Sequence, residues 1–482
     1  MSKTNTSQKT QNRKSQNKIP AEKKRLPLII SILIFIVTAL GISFISYTAT
    51  RAYQFSRLTQ AEKLTGAENF ELNSLLDSIY EQRVRILKPL PYEFSDANLE
   101  VYAESAILID VSNGNILFEK NADEIIPPAS MTKLFAMYVV DEAVSKGQLS
   151  YDDIIPLPPQ CWACNMPPHS SLMFLGEGQI VTLEELLLGL SICSGNDAAY
   201  ALAYAVSGSM EVFIEQMNNV ASKLGLTHTH FVEASGYSEE NTTTAREMAA
   251  FSRVYLKEHP QSLKMFHSVP SFTYPKPRNM ASGDTYGSQD FSQGIPRHIT
   301  MGITQSNTNP LLGLLEGCDG LKTGYIDESG YNLSLTAERQ GTRFLSVTMK
   351  GPGNNSRQGQ EGRIHDGTIL MEFAFSSFKD FFDLEEIKPY FIKVYGSRIK
   401  ALNLCPAFYP QSITMPLFTN ADTPQIQVQL PEHLSGNIVC GEEYGKIIIS
   451  IDGIQLETIP LVADRSADSG SFITRAADFF IH

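Results

Sequence analysis

An uncharged, mostly apolar run at residues 28–49 constrains this chain more than any other local feature. An α-helix of about 20 apolar residues crosses the roughly 30 Å hydrocarbon core of a bilayer. Secretory signal peptides usually have a shorter apolar region and end in a small-x-small cleavage site, which Ala49-Thr50-Arg51 matches poorly. The run therefore predicts an uncleaved transmembrane signal anchor over residues 26–50. A long, cleaved signal peptide is the alternative.

Charge is distributed unevenly on the two sides of this anchor. Residues 1–25 carry eight Lys or Arg and one acid, while the whole chain has a net charge of −13. The positive-inside rule makes residues 1–25 a basic cytoplasmic tail and sends everything after Arg51 outward, as a single-pass protein of the inner membrane. The remainder is strongly acidic, which argues against nucleic acid as a partner.

Two folded regions are predicted beyond a partly helical spacer at residues 51–97. Residues 98–380 have strand patterns at both ends and helical patterns between them. The predicted strands cover 105–111, 116–119, 320–325, 332–338 and 342–350. Helices are predicted after Pro127-Pro128, after the capping boxes Thr182-x-x-Glu185 and Thr244-x-x-Glu247, and over 373–382. This pattern indicates an antiparallel sheet packed with helices, an α+β fold.

The sequence pattern changes in the C-terminal region, residues 383–482. Short β-like runs recur there at 390–394, 425–430, 446–451 and 456–462, with Pro and Gly between them. They predict a small C-terminal β domain. Residues 471–482 predict an amphipathic helix, which is expected to pack on its own domain.

The six cysteines suit an exported chain, where disulfides persist. Cys161-Trp162-Ala163-Cys164 lies in a Pro-rich loop, which favours a local structural disulfide over a redox motif. Cys405 and Cys440 share the C-terminal region and are a possible pair, while Cys193 and Cys318 each precede a motif described below. A zinc site needs a second ligand pair that the sequence does not supply, so no metal is expected.

Three short motifs follow one another in the main domain: Ser130-Met131-Thr132-Lys133, Ser194-Gly195-Asn196 and Lys322-Thr323-Gly324. The first two patterns are individually weak. Other Ser-x-x-Lys matches start at Ser15, Ser376 and Ser397, and a second Ser-Gly-Asn starts at Ser435, whereas Lys-Thr-Gly occurs once. The ordered set of three therefore carries more information than any one member.

The first motif has the features of an activated nucleophile. Pro127-Pro128 places Ser130 at a helix N-terminus, where free N–H groups favour developing negative charge. Lys133, three residues on, reaches the same helix face and can activate the hydroxyl if it is neutral. Burial and a nearby cation such as Lys322 would lower its pKa. The structural alternative, a helix cap beside a surface lysine, fits Ser376 better because that serine lacks the proline lead-in.

The other two motifs suit substrate binding and proton transfer. A hydroxyl at Ser194 can relay a proton to a leaving amine, and the Asn196 amide can hold a substrate carbonyl. Lys322 and Thr323 suit a carboxylate, and Gly324 permits close approach of substrate backbone. The N–H groups of Tyr325 and of the serine nucleophile can form an oxyanion hole.

In this order the motifs resemble the penicillin-binding proteins and serine β-lactamases. The stretches 126–133, 190–198, 309–312 and 319–325 narrow this to the low-molecular-mass D-Ala-D-Ala carboxypeptidases, serine peptidase family S11. The resemblance implies a β-lactamase/transpeptidase-like domain and, more weakly, the C-terminal β domain. It implies these roles: Ser130 as acyl-forming nucleophile, Lys133 as its base, Ser194 as proton relay, Asn196 as peptide binder, and Lys322, Thr323 and Arg363 on the terminal carboxylate. The Pro/Cys-rich segment 156–168, Cys193 and the N-terminal anchor depart from the family pattern.

The resulting hypothesis is a membrane-anchored serine D-Ala-D-Ala carboxypeptidase that acts on peptidoglycan stem peptides, binds β-lactams and needs no cofactor. A β-lactamase is disfavoured because no deacylating glutamate is evident and the β domain and anchor are extra. A β-lactam sensor or non-catalytic wall-binding protein is disfavoured because a tail of 25 residues offers no output domain. Endopeptidase and transpeptidase action use the same residues and stay open.

Overall fold

The structure is a computed structural model that describes residues 22–85, 87–94, 99–281 and 283–482, so most of the predicted basic tail lies outside the described residues. The helices are α1 (Glu22–Arg57), α2 (Gly66–Arg85), α3 (Thr132–Ser145), α4 (Leu183–Ser191), α5 (Asn196–Ser207), α6 (Met210–Lys223), α7 (Ala245–Glu258), α8 (Ser356–Ser377) and α9 (Phe472–Phe479). The strands are β1 (Lys88–Pro89), β2 (Ser105–Asp110), β3 (Asn115–Lys120), β4 (Ile154–Ile155), β5 (Val181–Thr182), β6 (Ser271–Tyr274), β7 (Ile303–Ser306), β8 (Cys318–Ile326), β9 (Gly330–Arg339), β10 (Thr342–Gly351), β11 (Phe378–Phe381), β12 (Tyr390–Tyr395), β13 (Ala401–Pro406), β14 (Ile413–Pro416), β15 (Gln425–Gln429), β16 (Leu434–Ser435), β17 (Glu443–Ile451) and β18 (Ile454–Ala463).

A six-stranded sheet in the order β1-β3-β2-β10-β9-β8 forms the centre of the main domain. Its strands pair antiparallel except for β1 and β3. Along β2, Ile107 and Ile109 join the core built with α3 to α7, whereas Ala106 and Leu108 join the core under α8. This alternation follows from the two-residue period of a strand. The sheet lies between two helical layers, and the predicted α+β fold is confirmed.

The predicted helix starts at Thr182 and Thr244 are found, although only Thr182 and Glu185 form a complete capping box. The hydroxyls of Thr182 and Thr244 accept hydrogen bonds from the backbone N–H groups of Glu185 and Glu247 at the starts of α4 and α7. After Pro127-Pro128 the chain forms a single 3₁₀ turn, and α3 continues from it. These contacts satisfy N–H groups that a helix start otherwise leaves unpaired.

The predicted helix over 373–382 is wrong in its bounds. Helix α8 begins far earlier, where the Asn355 side chain accepts from the N–H of Gln358, and it ends at Ser377. Glycines inside α8 weaken its helical sequence pattern. Gly367 is needed there, because a Cβ at this position would lie 2.4 Å from the Leu311 side chain. The next residues instead form β11, which pairs with β14.

The C-terminal region is a β domain built on a sheet in the order β15-β17-β18-β13-β12-β16. The four predicted β-like runs correspond to β12, β15, β17 and β18. Strand β14 belongs to this region in sequence but pairs with β11 at the end of the main domain. In the same joint the Asn115 amide donates to the Thr414 hydroxyl at 2.8 Å. The two domains are therefore joined by shared backbone pairing and by side-chain hydrogen bonds.

Helix α1 includes one candidate membrane span, Leu26–Arg57, and the side chains of its most apolar stretch are exposed. Its last turns contact the C-terminal domain. Arg51 forms a buried ion pair with Asp478 of α9, and the Phe55 ring stacks on Tyr395 of β12 with centroids 4.4 Å apart. Helix α9 therefore packs on α1 as well as on its own domain, while Phe479 stays exposed.

All six cysteines are free thiols, so the disulfide expected between Cys161 and Cys164 is not formed. The Cys161 thiol is buried and donates to the Pro158 carbonyl at 2.9 Å, whereas the Cys164 thiol contacts the Asn165 side chain. Trp162 is extended between two single helical turns and separates the thiols.

Candidate active site

Ser130 lies in the 3₁₀ turn that leads into α3, and two glycines hold this turn closely. A Cβ on Gly236 would lie 1.9 Å from the Ala129 carbonyl oxygen, and one on Gly324 would lie 2.5 Å from the Pro128 carbonyl oxygen. Ala129 has a φ of +49°, a left-handed conformation that costs about 1–3 kcal/mol. The surrounding backbone therefore fixes the turn that carries Ser130 in one geometry.

Lys133 is fully buried one turn into the same helical segment. Its Nζ lies 2.9 Å from the Ser130 hydroxyl and 2.9 Å from the Asn196 side-chain oxygen, and it also donates to the Ser235 carbonyl. Burial lowers the pKa of Lys133 to about 7, although the Glu233 carboxylate works in the opposite direction. An amine with such a pKa is substantially neutral near pH 7 and can accept a proton.

The Ser194-Gly195-Asn196 motif lies between α4 and α5 and meets this amine. Ser194 is buried and has a φ of +56°. The Asn196 oxygen accepts from Lys133, and its amide nitrogen donates to the Ser170 hydroxyl at 3.1 Å. The structure thus brings the first and second motifs into direct contact.

Asp197, the residue after the motif, is buried and holds a neighbouring loop. Its carboxylate accepts from the N–H groups of Met173 and Leu175, each at 2.9 Å. Burial raises the pKa of Asp197 to about 6, and these N–H groups oppose that shift. The loop carrying Ser170 is therefore hydrogen-bonded both to Asn196 of the motif and to Asp197, the residue after it.

Glu233 organises the loop that supplies the third partner of Lys133. Its carboxylate accepts from the backbone N–H groups of Ser235 and Gly236, at 2.6 and 2.5 Å. The Asn241 side chain donates to the same carboxylate at 2.9 Å. These contacts orient the Ser235 carbonyl toward the Lys133 amine.

Lys322-Thr323-Gly324 lies in β8, at one edge of the central sheet. Lys322 is buried, and burial, then the charges of Lys133 and Arg363, lower its pKa well below the ordinary value. The Thr323 hydroxyl donates to that of Thr308 at 2.8 Å. The pKa of Lys133 is thus lowered by burial, and the expected contribution of a Lys322 charge to that shift stays a prediction.

Arg363 lies inside α8, not ahead of it, and is buried. Its guanidinium donates to the Gly324 carbonyl at 2.6 Å and the Asn332 carbonyl at 3.0 Å, which join β8 and β9. Burial lowers the pKa of Arg363 to about 10. The group supports the strand that carries Lys322, and its contact with a substrate carboxylate stays a prediction.

An open cleft of about 760 Å³ leads to Ser130 and Asn196 and is lined by residues 168–171, 236–239 and 325–328. The Tyr325 ring is half exposed, and its hydroxyl donates to Asp327 at 2.6 Å. In the part of the chain that the structure describes, no group of three or more His, Cys, Asp or Glu side chains is placed to hold a metal ion.

Sequence reasoning missed several residues of this site. Asp197 follows the second motif directly, and its position was a usable signal. Ser170, Glu233 and Ser235 carry no such signal, because only the fold brings them to Lys133 and Asn196.

The sequence is similar to known proteins along most of its length. A family model described as D-alanyl-D-alanine carboxypeptidase, Peptidase_S11, matches residues 92–353. The D-alanyl-D-alanine carboxypeptidase DacF of Bacillus subtilis (strain 168) is 30% identical over 381 residues, 77% of this chain and 87% of that protein. DacD of Escherichia coli (strain K12) is 31% identical over 405 residues, 81% of this chain and 93% of that protein.

Solved structures agree with this similarity. Penicillin-binding protein 5 from Haemophilus influenzae superimposes with a TM-score of 0.64 at 28% identity, covering 77% of this chain and 99% of that one. Penicillin-binding protein 6B from Escherichia coli gives a TM-score of 0.58 at 28% identity, covering 77% and 98%. Both matches extend through the main domain and into the C-terminal one.

Proposed function

Because this chain belongs to the D-alanyl-D-alanine carboxypeptidase family, peptidase S11, we propose that it removes the terminal D-alanine of peptidoglycan stem peptides through an acyl-enzyme on Ser130. The observation that carries this proposal is the buried Lys133 amine, 2.9 Å from the Ser130 hydroxyl. A buried base of lowered pKa beside a serine at the floor of a cleft is the arrangement that nucleophilic catalysis requires.

Acylation begins when the Ser130 oxygen attacks the carbonyl carbon between the two D-alanines and its proton passes to neutral Lys133. The N–H groups of Ser130 and Tyr325 stabilise the negative oxygen that develops. The proton then passes through the Ser194 hydroxyl to the leaving amine, so the C–N bond breaks and D-alanine departs. The acyl group remains as an ester on Ser130.

Substrate is held by groups on both walls of the cleft. Lys322 and Thr323 bind the terminal carboxylate, and Arg363 adds positive charge near them. The Asn196 amide contacts the peptide backbone. These contacts align the scissile carbonyl with the Ser130 oxygen.

Water completes the cycle by attacking the ester, with Lys133 taking its proton and returning one to the Ser130 oxygen. A β-lactam carries a strained amide and a carboxylate in a similar relation, so it acylates the same serine. None of these steps requires a metal or a cofactor.

We further propose that α1 anchors the enzyme in the inner membrane. Its uncharged run spans a bilayer, and the basic residues before it favour a cytoplasmic N-terminus. The main and C-terminal domains then stand on the extracytoplasmic side, where stem peptides are found.

The function is tested by measuring D-alanine release from a diacyl-Lys-D-Ala-D-Ala peptide by the full chain in detergent. We expect release by the wild type and loss in Ser130→Ala, while Ser376→Ala, at another Ser-x-x-Lys match, keeps the wild-type rate. A folded wild type that binds penicillin covalently but releases no D-alanine would overturn the peptidase and favour the sensor.

The pH dependence of Ser130 acylation should follow the protonation of Lys133. Its pKa is about 7, and only the neutral amine accepts the serine proton. Below pH 7 we expect the rate to fall about tenfold per pH unit, and above it to level off. The check is the rate constant for a fluorescent penicillin between pH 5.5 and 8.5. A flat profile in protein whose melting temperature is constant over that range would rule out this titration.

A further inference from the structure

His267 is a fully buried histidine that belongs to none of the three motifs but contacts Leu321, beside Lys322, and Ser191, near Ser194. It ends the π-helical turn Leu263–His267, which packs against β8. A Cβ on Gly320 would lie 3.2 Å from the His267 Cβ, so the two backbones are in close contact. Single π turns occur frequently at functional sites.

The contacts of Nδ1 define the state of the ring. Nδ1 lies 3.2 Å from the Leu321 carbonyl oxygen and 3.4 Å from the Ser191 hydroxyl. A carbonyl only accepts, so Nδ1 carries the hydrogen. Burial lowers the pKa of His267 to about 4, and the ring is therefore neutral near pH 7. The other nitrogen, Nε2, is then an acceptor.

The partner of Nε2 is the Tyr255 hydroxyl, at 3.1 Å. Tyr255 has one hydroxyl hydrogen, which faces two acceptors, Nε2 of the ring and the Asp141 carboxylate at 3.3 Å. The same Asp141 oxygen accepts from the Ser262 hydroxyl at 2.6 Å. The Tyr255 hydroxyl therefore links the imidazole to Asp141.

Each end of this network lies on an element that carries a motif or leads into one. Leu321 immediately precedes Lys322 on β8. Ser191 ends α4, three residues before Ser194. Asp141 lies in α3, two turns after Lys133.

We propose that His267 is a positioning residue for this enzyme: its neutral imidazole fixes β8, the end of α4 and α3 relative to one another and thereby sets the rate of Ser130 acylation. This inference rests on the proposed function and names a residue that contacts no substrate. A misplacement of about 1 Å between reacting groups can cost about 10²-fold in rate. Hydrogen bonds from the ring to β8 and α4, and through the Tyr255 hydroxyl to Asp141 of α3, reduce such movement.

The test compares three substitutions of His267 in the full chain. His267→Asn keeps a donor near the position of Nδ1, His267→Gln keeps a polar group near that of Nε2, and His267→Leu keeps neither. We expect acylation by a fluorescent penicillin to fall about 10²-fold in the Leu variant and substantially in the Gln variant, with rescue in the Asn variant. His259→Leu replaces another buried histidine, whose Nε2 lies 3.4 Å from a Glu142 carboxylate oxygen, and should lower the melting temperature without this loss.

Two further measurements separate positioning from general stability. Tyr255→Phe keeps the ring packing and removes the hydroxyl, so it should slow acylation even if His267→Leu does not fold. The ¹⁵N spectrum of histidine-labelled wild type should show the Nδ1–H tautomer for His267 near pH 7. An Nε2–H tautomer or an imidazolium would overturn the proposal. So would wild-type acylation rates in Tyr255→Phe and in folded His267→Leu, in protein that still releases D-alanine. Absence of D-alanine release by the wild type would instead count against the proposed function.

Discussion

Replacing Lys133 with methionine is expected to lower the rate of Ser130 acylation by about 10³-fold. Methionine nearly preserves the length of the buried side chain but removes the amine that lies 2.9 Å from the Ser130 hydroxyl. Without that base the hydroxyl must lose its proton to water, and Asn196 loses its hydrogen-bond donor. The measurement is the second-order rate constant for a fluorescent penicillin, together with D-alanine release.

Lys379→Met is the matched control, because Lys379 occupies the same place in another Ser-x-x-Lys pattern. Its rate constant should equal that of the wild type. Circular dichroism and melting temperature establish that Lys133→Met is folded. If the folded variant is acylated within about tenfold of the wild-type rate, a group other than Lys133 serves as the base.

Replacing Gly236 with alanine should damage both the stability and the activity of the enzyme. Its φ is +78°, and the new Cβ would lie 1.9 Å from the Ala129 carbonyl oxygen, a backbone atom of the nucleophile turn. The turn must move, and we expect a loss of about 3 kcal/mol in the free energy of unfolding. Displacement of Ser130 should also slow acylation by about 10²-fold.

Gly225→Ala separates these two causes. Gly225 has a φ of +72°, but nothing lies within 4 Å of the position its Cβ would take. It should therefore cost only about 1 kcal/mol, from the backbone conformation, and leave acylation unchanged. Denaturant unfolding and penicillin acylation measure both quantities. Equal losses in the two variants would show that close contact with Ala129 is unimportant.

Local sequence patterns were sufficient for much of the fold. The capping threonines, Thr182 and Thr244, start helices because their hydroxyls contact N–H groups three residues away. The strands 105–111 and 342–350 could be predicted for a similar reason. Successive side chains of a strand point to opposite faces of the sheet, which gives the sequence a period of two. The bounds of α8 could not be predicted from local sequence. Its glycines make room for the side chains of Leu311 and Tyr331, which are distant in sequence.

The contacts of the candidate site likewise include some that local sequence predicts and others that it does not. Ser130 and Lys133 are neighbours on one helical turn, so their contact follows from their spacing. The Ser235 carbonyl reaches Lys133 across 102 positions of sequence, and His267 reaches Leu321 across 54. No periodic pattern encodes such contacts. The cysteine prediction failed for a related reason, since the spacing of Cys161 and Cys164 does not determine the direction of their side chains.

The buried ion pair of Arg51 and Asp478 fixes the orientation of α1 relative to the C-terminal domain. Helix α1 runs without interruption from its apolar span to this pair and to the stacked rings of Phe55 and Tyr395. A flexible tether would let the cleft sample many heights and tilts. A continuous helix held to the C-terminal domain by these contacts instead passes its own tilt on to that domain. With α1 anchored as proposed, the position of this helix in the bilayer sets the height of the cleft above the membrane surface.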